Sequence, residues 1–297
     1  MALYDHIVAC NTHSLAGRRP FHVAGVQVGW VSDDIAERMT RWHEYFAISK
    51  DSVAFRDSLN DVETRSKALA EAGAALVVHQ ALSRNRKELC PVMETFGDPN
   101  LLRIDRAWLE SFGVVSYGVH VNGYVETADG PELWIGVRAN NRIMFPGKLD
   151  NMVAGGLPVG LSLAENVIKE AGEEASVPEE LAATAMPTGV VTYIKDTDRG
   201  LRRDMLFVYD LLLPADFVPE NVDGEVSGFV RWPARQALRV VEETDEFKFN
   251  VNLVIIDFAI RHGLIRPDRP DYAKLVHGLR AWRAIWRIDI AHISSGS

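Results

Sequence analysis

The chain has 297 residues, of which 47% are hydrophobic and 25% are charged, and its net charge at pH 7 is −9. This length favours two domains of roughly 150 residues each. The composition excludes a disordered chain, a collagen-like chain and a small disulfide-stabilised protein. The acidic balance argues against a protein that coats nucleic acid or lies on anionic lipid, so we expect no nucleic-acid and no membrane partner.

The cysteines and the N-terminus both favour a cytoplasmic protein. Cys10 and Cys90 form no C-x-x-C pair, and we expect reduced structural thiols rather than a zinc site. The first residues, Met1 to His6, include an early acid and lack the apolar segment of a signal peptide. Unbroken apolar runs such as Leu253 to Ile256 are far too short to cross a bilayer.

The first part of the chain predicts a small α+β unit. Phe21 to Trp30 is rich in β-branched and aromatic residues, which predicts a strand. Apolar residues recur at intervals of three and four from Asp33 to Phe46, which predicts an amphipathic helix. An alanine-rich stretch from Glu63 to Leu76 predicts a second helix. We therefore predict an α+β accessory domain over residues 1–115.

From residue 116 onward the pattern predicts a different architecture. A strand over Val114 to Val125 and a hairpin partner over Glu132 to Arg138 are separated by Asp129-Gly130-Pro131. Two further strands and a helix are predicted over 190–194, 205–213 and 249–262. Strands with helices on either side favour an α/β/α sandwich with a mixed sheet over residues 116–297.

The segment from Gly155 to Val177 carries the chemistry of this second part. Its glycines and a proline predict a loop, and Ser162 with Glu165 forms an S-x-x-E capping box that starts a helix at about Leu163. Apolar residues then recur every four positions as far as Ala175, which predicts a buried stripe along that helix.

Three glutamates crowd one region of the predicted helix. Glu170, Glu173 and Glu174 stand at i, i+3 and i+4, so their carboxylates are neighbours on the helix surface. A divalent cation relieves such repulsion, and oxygen ligands together with phosphate oxygens suit Mg²⁺ or Mn²⁺. Taken alone, the three glutamates leave open a second interpretation, a solvated acidic helix face.

The glycine loop followed by this helix resembles the Nudix hydrolase family. The family's box runs G-x5-E-x7-R-E-U-x-E-E-x-G-U, where U is aliphatic, and Gly155 takes its first position. The resemblance implies a loop-helix-loop that holds metal ions against a diphosphate, with Gly155 and Gly156 at the substrate. It implies that Glu170, Glu173 and Glu174 are both metal ligands and catalytic residues.

Three positions depart from the family pattern. Leu161 replaces the first glutamate, Lys169 replaces the arginine, and Ser176 replaces the last glycine. Glu165 lies four residues before Lys169, which is the favourable order for an ion pair on a helix. We therefore predict that Glu165 orients Lys169 as a catalytic side chain in place of the missing glutamate; a surface position for both is the alternative.

The flanking segments narrow the resemblance. Gly118 to Tyr124, Gly147 to Asn151 and Phe247 to Asn250 look like the Nudix branch found next to thiamine pyrophosphokinase in some fungal proteins. That branch is associated with cutting oxidised forms of thiamine diphosphate to monophosphates. The resemblance implies hydrolysis of a small organic diphosphate to a monophosphate plus phosphate. A nucleoside diphosphate derivative as substrate, or a catalytically weak ligand-binding or sensor module, stays open.

Candidates outside the box complete the predicted site. Glu225 precedes a predicted strand and is a candidate general base, with a turn acid as the alternative. Arg202 and Arg203, predicted in a hairpin loop, are candidates to grip the terminal phosphate. Asp150 and Asn151, just before the box, are candidates to contact the substrate, with a turn-stabilising role equally open. The expected partner is a small diphosphate, and a homodimer stays open as an assembly.

Overall fold

A computed structural model of the chain describes residues 2–141, 144–222 and 224–280. The helices in these ranges are α1 (Leu3–Cys10), α2 (Asp33–Met39), α3 (Val62–Val78), α4 (Leu163–Ala175), α5 (Glu179–Ala182), α6 (Ala234–Glu243), α7 (Val251–Arg261) and α8 (Tyr272–Gly278). The strands up to the glycine loop are β1 (Arg18–Val23), β2 (Val26–Ser32), β3 (Phe46–Ile48), β4 (Val53–Phe55), β5 (Leu89–Val92), β6 (Leu102–Asp105), β7 (Val115–Thr127), β8 (Gly130–Arg138), β9 (Leu149–Asn151) and β10 (Val153–Gly156). The strands that follow are β11 (Met186–Thr197), β12 (Gly200–Leu212) and β13 (Val226–Pro233).

The N-terminal unit is built on a four-stranded sheet in the order β2-β1-β4-β3. Helix α3 packs on the same core through its buried face, which includes Leu69, Ala72 and Leu76. The core also contains Phe21 and Phe112, whose ring centroids lie 5.2 Å apart. The predicted α+β character and the second predicted helix are confirmed.

Two predicted elements of this unit are corrected. The single strand predicted over Phe21 to Trp30 is a hairpin, because Ala24 and Gly25 adopt φ of 52° and 80° and reverse the chain between β1 and β2. The helix predicted from Asp33 to Phe46 ends at Met39 and is followed by a 3₁₀ turn and β3. The later apolar residues pack against the core from that turn and strand, so their spacing did not require a helix.

The second sheet is mixed, and its strands β7 and β8 separate beyond their hairpin turn to pair with the short strands β10 and β9. Its order is β11-β12-β7-β8-β13, with β12 parallel to β7 and the other neighbours antiparallel. Strands β7 and β8 pair only near their hairpin turn, and β10 then pairs with β7 while β9 pairs with β8. This pairing sets Gly155 opposite Val119 and Asp150 opposite Gly136.

Helices cover both faces of this sheet, which confirms the predicted sandwich. On one face, α4 buries Val167, Ala171 and Ala175 against β7 and β10. On the other face, α6, α7 and α8 pack against β8, β11 and β12. Helix α1 joins this second core through Leu3 and Ile7 although it belongs to the first residues of the chain. The domain boundary at residue 115 stays a prediction.

The cysteines occupy separate cores, and no membrane-spanning element is present among the helices described. Cys10 and Cys90 are free and buried, and burial raises the pKa of each thiol to about 12. A thiol with such a pKa is a poor nucleophile. No helix in the described ranges is long and apolar enough to cross a bilayer.

Candidate active site

Helix α4 begins where its capping box predicts. The Glu165 amide donates to Oγ of Ser162 (3.2 Å), and the Ser162 amide donates to Oε2 of Glu165 (2.7 Å). The helix ends at Ser176, which has a left-handed φ of 53°. This is the position at which the family box has glycine, the residue that adopts a left-handed conformation most easily at the end of a helix.

The two glycines of β10 allow side chains to approach the loop closely. A Cβ at Gly155 would lie 2.7 Å from Oε1 of Glu170 and closer still to its Cγ and Cδ. A Cβ at Gly156 would lie 3.0 Å from Cζ of Arg106, which comes from the N-terminal unit. The pair therefore serves close packing of one carboxylate and one guanidinium against the backbone.

Glu174 is the buried carboxylate of α4, and Glu170 is partly buried. Oε2 of Glu174 accepts the amide hydrogen of Ala154 (2.8 Å), which ties the helix to β10. Burial raises the pKa of Glu174 well above its ordinary value, and the negative charges of Glu170, Asp150 and Glu225 add to the rise. Burial also raises the pKa of Glu170.

Lys169 forms ion pairs with two of the three glutamates on α4. Its Nζ lies 2.7 Å from Oε2 of Glu173 and 3.1 Å from Oε1 of Glu170. The predicted Glu165–Lys169 pair is wrong, because the carboxylate of Glu165 is engaged by the Ser162 amide at the start of the helix. The lysine therefore reaches forward along α4 toward the glutamates rather than back toward its first turn.

Asp150 lies between two cations. Arg138 Nη1 is 2.9 Å and Lys248 Nζ is 3.2 Å from its Oδ2. Burial alone would raise the pKa of Asp150, but Lys248, His120 and Arg138 together hold the pKa below its ordinary value. Asp150 is therefore a carboxylate that stays ionised beside Glu174.

Asn151 belongs to a buried polar network instead. Its Oδ1 lies 2.8 Å from Nδ1 of His120, and its Nδ2 donates to Oδ1 of Asn122 (2.9 Å). Asn122 in turn donates to Oδ1 of Asp210 (3.0 Å). All four side chains are buried, so this chain of hydrogen bonds satisfies polar groups within the sandwich.

Arg202 and Arg203 lie within β12 rather than in the predicted hairpin loop, because the turn is shorter than the sequence pattern suggested. Arg203 is buried and donates to the carbonyl oxygens of Val28 (2.9 Å) and Gly113 (2.8 Å) in the N-terminal unit. Nε of Arg202 lies 3.0 Å from Oδ2 of Asp204. The contacts of Arg203 anchor the two parts of the chain to each other, and phosphate binding by either arginine stays a prediction.

Glu225, predicted from its loop position, directly precedes β13, and its carbonyl oxygen accepts the amide hydrogen of Ala139 (3.0 Å). Its negative charge and that of Asp150 contribute to the raised pKa of Glu174, after burial. A role of Glu225 as a base stays a prediction.

Sequence reasoning missed the cations that surround this cluster. Lys248 lies in a segment that was recognised only as a flank of the box, and Arg138 ends a predicted strand. Arg106 lies in a 3₁₀ turn of the N-terminal unit, and nothing in its neighbouring residues signals a link to the box. Their common feature is that long-range folding, not local spacing, brings them to the carboxylates.

The donor set suits a divalent metal, although no metal geometry is preformed. Within residues 2–141, 144–222 and 224–280, no three His, Cys, Asp or Glu side chains already lie together as a metal site. The charge of Glu173 adds to the raised pKa of Glu170, the charge of Glu170 adds to that of Glu174, and a single ammonium bonds to Glu170 and Glu173. Hard oxygen donors under mutual repulsion are the ligands that Mg²⁺ or Mn²⁺ takes.

Comparison with known proteins covers nearly the whole chain. Residues 2–116 match a family model described as a domain of unknown function, DUF4743. Nudix hydrolase 24, chloroplastic, of Arabidopsis thaliana is 42% identical over 264 residues, which are 88% of this chain and 72% of that protein. Nudix hydrolase 20, chloroplastic, of the same plant is 38% identical over 288 residues, which are 93% of this chain and 77% of that protein.

Among solved structures, DR0079 from Deinococcus radiodurans has a TM-score of 0.43 at 23% identity, covering 57% of this chain and 97% of that one. The identity to the two plant proteins extends across both the N-terminal unit and the sandwich that carries the glutamates. On this similarity, the chain belongs to the Nudix hydrolase family.

Proposed function

We propose that this Nudix hydrolase cuts the diphosphate group of a small organic diphosphate, with Mg²⁺ or Mn²⁺, to a monophosphate and phosphate. The observation that carries the proposal is the group of glutamates on α4 beside β10, where Glu170 packs against Gly155 and Glu174 accepts the amide hydrogen of Ala154. Glu170, Glu173 and Glu174 are close neighbours on one helix and repel one another, so the fold accepts an electrostatic cost at this place. A cation and a diphosphate bound together would offset that cost.

Glu170, Glu173 and Glu174 are the residues that would hold the metal. When bound, Mg²⁺ neutralises diphosphate oxygens, lowers the pKa of a water molecule and orients the leaving group. Lys169 now bonds to two of these carboxylates and would exchange them for a phosphate oxygen. The lysine would thereby keep its compensating charge within the site.

Glu225 is the proposed general base. It stands outside α4, in the segment before β13, and its negative charge adds to the raised pKa of Glu174. Asp150 suits this role less well, because Arg138 and Lys248 stabilise its ionised form and lower its proton affinity. Asp150 would instead orient these two cations at the substrate.

For the substrate, we propose oxidised derivatives of thiamine diphosphate. This finer assignment depends on the resemblance of the flanking segments to the branch associated with that reaction. A nucleoside diphosphate derivative is the alternative that would use the same diphosphate contacts. The two candidates differ in the organic group, whereas the catalytic carboxylates would be common to both.

The test is a product assay by mass spectrometry on a panel of diphosphates. Thiamine diphosphate, its oxidised derivatives, nucleoside diphosphate sugars and dinucleotides are each incubated with the protein in MgCl₂ or in EDTA. We expect monophosphate in MgCl₂ only, formed fastest from an oxidised thiamine diphosphate. Product in EDTA would contradict the metal requirement. Faster hydrolysis of a nucleotide would contradict the assignment of oxidised thiamine diphosphate as the substrate. No product from any member of the panel would contradict the proposed function.

A further inference from the structure

The N-terminal unit reaches the loop that precedes α4. The Val159 amide donates to the carbonyl oxygen of Leu89 (2.8 Å), so the first residue of β5 holds the loop. Strand β5 pairs with β6, and Arg106 follows β6 at the start of a 3₁₀ turn. The accessory unit thus touches the box loop through both backbone and side chain.

The guanidinium of Arg106 lies over the second glycine of that loop. An ideal Cβ at Gly156 would be 3.0 Å from its Cζ, 3.1 Å from Nη2 and 3.3 Å from Nε. The adjacent Gly155 is the residue against which Glu170 packs.

The Nη1 atom of this guanidinium is held by a carboxylate, whereas its Nε and Nη2 atoms face the loop. Nη1 lies 3.0 Å and 3.1 Å from the two carboxylate oxygens of Glu88, a residue of the same unit. Within the part of the chain that the structure describes, Nε and Nη2 of Arg106 make no hydrogen bond, and 37% of the side chain is exposed. Glu88 therefore orients the head group without using the donors that face the loop.

The box itself contains no arginine. Lys169 stands where the family pattern has one, and an ammonium does not offer the planar pair of donors that matches phosphate oxygens. We propose that Arg106 binds a phosphate group of the substrate, so that the N-terminal unit completes the active site. This inference depends on the proposed function and assigns part of its substrate binding to a residue outside the Nudix sandwich.

Calorimetric titration with methylenediphosphonate in MgCl₂ tests the inference, because this probe resists hydrolysis of its P–C–P link. The variants are Arg106→Gln and Arg106→Lys. The matched control is Arg103→Gln, which removes an exposed ion pair with Glu63 (3.1 Å) in the same unit. We expect binding about 10- to 100-fold weaker for Arg106→Gln, a smaller loss for Arg106→Lys, and unchanged binding for the control.

Kinetics and melting curves separate the outcomes. If Arg106 binds phosphate, Arg106→Gln should raise KM more than it lowers kcat while melting close to wild type. Should the glutamine variant fold poorly, the lysine variant decides, because wild-type binding by Arg106→Lys together with wild-type KM would overturn a guanidinium-specific contact. If both variants bind and hydrolyse as wild type does, only this inference falls. If wild type neither binds the probe nor hydrolyses any diphosphate, the proposed function falls and this inference falls with it.

Discussion

Gly155→Ala tests whether activity depends on the position of the Glu170 carboxylate, because the added methyl group would displace that side chain. The added methyl would lie 2.7 Å from Oε1 of Glu170 and closer still to its Cγ and Cδ, well inside the roughly 3.5–4.0 Å of an ordinary contact. The clash is with the end of a flexible side chain and not with backbone. Glu170 can therefore yield by about 1 Å while β10 stays paired, so the cost falls on the site more than on the fold.

The expected effect on catalysis is large. A displacement of about 1 Å at a reacting centre costs on the order of 100-fold in rate, which is about 2.7 kcal/mol of transition-state stabilisation. The cost to the fold should stay near 1 kcal/mol, equivalent to a fall of a few degrees in Tm. Gly155→Ala should thus lose about 100-fold in kcat/KM while it still unfolds cooperatively.

The assay is kcat/KM for the fastest diphosphate of the panel, measured beside thermal unfolding. Gly172→Ala is the matched control, because this glycine lies within α4 and a Cβ there would meet nothing closer than 3.9 Å. The control should keep wild-type activity and gain about 0.5–1 kcal/mol in the free energy of unfolding. Wild-type kcat/KM for Gly155→Ala would show that activity does not depend on the position of Glu170.

Three further predictions concern stability. Burial lowers the pKa of His120 to about 4, against roughly 6.5 in the unfolded chain, so the unfolded state binds more protons between these values and the free energy of unfolding rises with pH. Urea titrations should show this rise reduced by up to about 3 kcal/mol in His120→Gln, and parallel curves would refute it. Ser176 has a φ of 53°, so Ser176→Gly should be about 1 kcal/mol more stable than Ser176→Ala. Both variants lack the serine hydroxyl, so the difference reports the backbone alone, and equal stabilities would argue against backbone strain. Arg203→Met should lower the free energy of unfolding by about 2–4 kcal/mol, because it leaves the Val28 and Gly113 carbonyls without their donor; a change below 1 kcal/mol in denaturant would contradict an anchoring role.

The sequence pattern predicts structure best where the interacting residues are close neighbours along the chain, as at the start of α4. The capping box of Ser162 and Glu165 lies within one helical turn, so its residues determine where α4 begins. The partner of Lys169 was harder to predict, because an ion pair four residues back and one four residues forward are both sterically allowed. With Glu165 engaged by the cap, Lys169 pairs forward with Glu173 and with the adjacent Glu170.

The errors and omissions arise from long-range packing. Trp42 supports the core from a 3₁₀ turn, so its helical spacing misled the prediction for α2. Helix α1 crosses to the core of the sandwich, which no local pattern indicates. Arg203 and Arg106 resemble ordinary surface arginines in the sequence, and only the packing of the N-terminal unit against the sandwich gives them their partners.

Phosphate release by Glu173→Gln tests most directly the proposed metal-dependent hydrolysis by the glutamates of α4. The side chain of Glu173 is 55% exposed, so the substitution should leave the fold intact. Glu180→Gln, an exposed glutamate of α5, is the control. With saturating MgCl₂ we expect the rate of phosphate release to fall about 100-fold or more for Glu173→Gln and to stay unchanged for the control. Equal rates for both variants and wild type would contradict catalysis by the glutamates of α4.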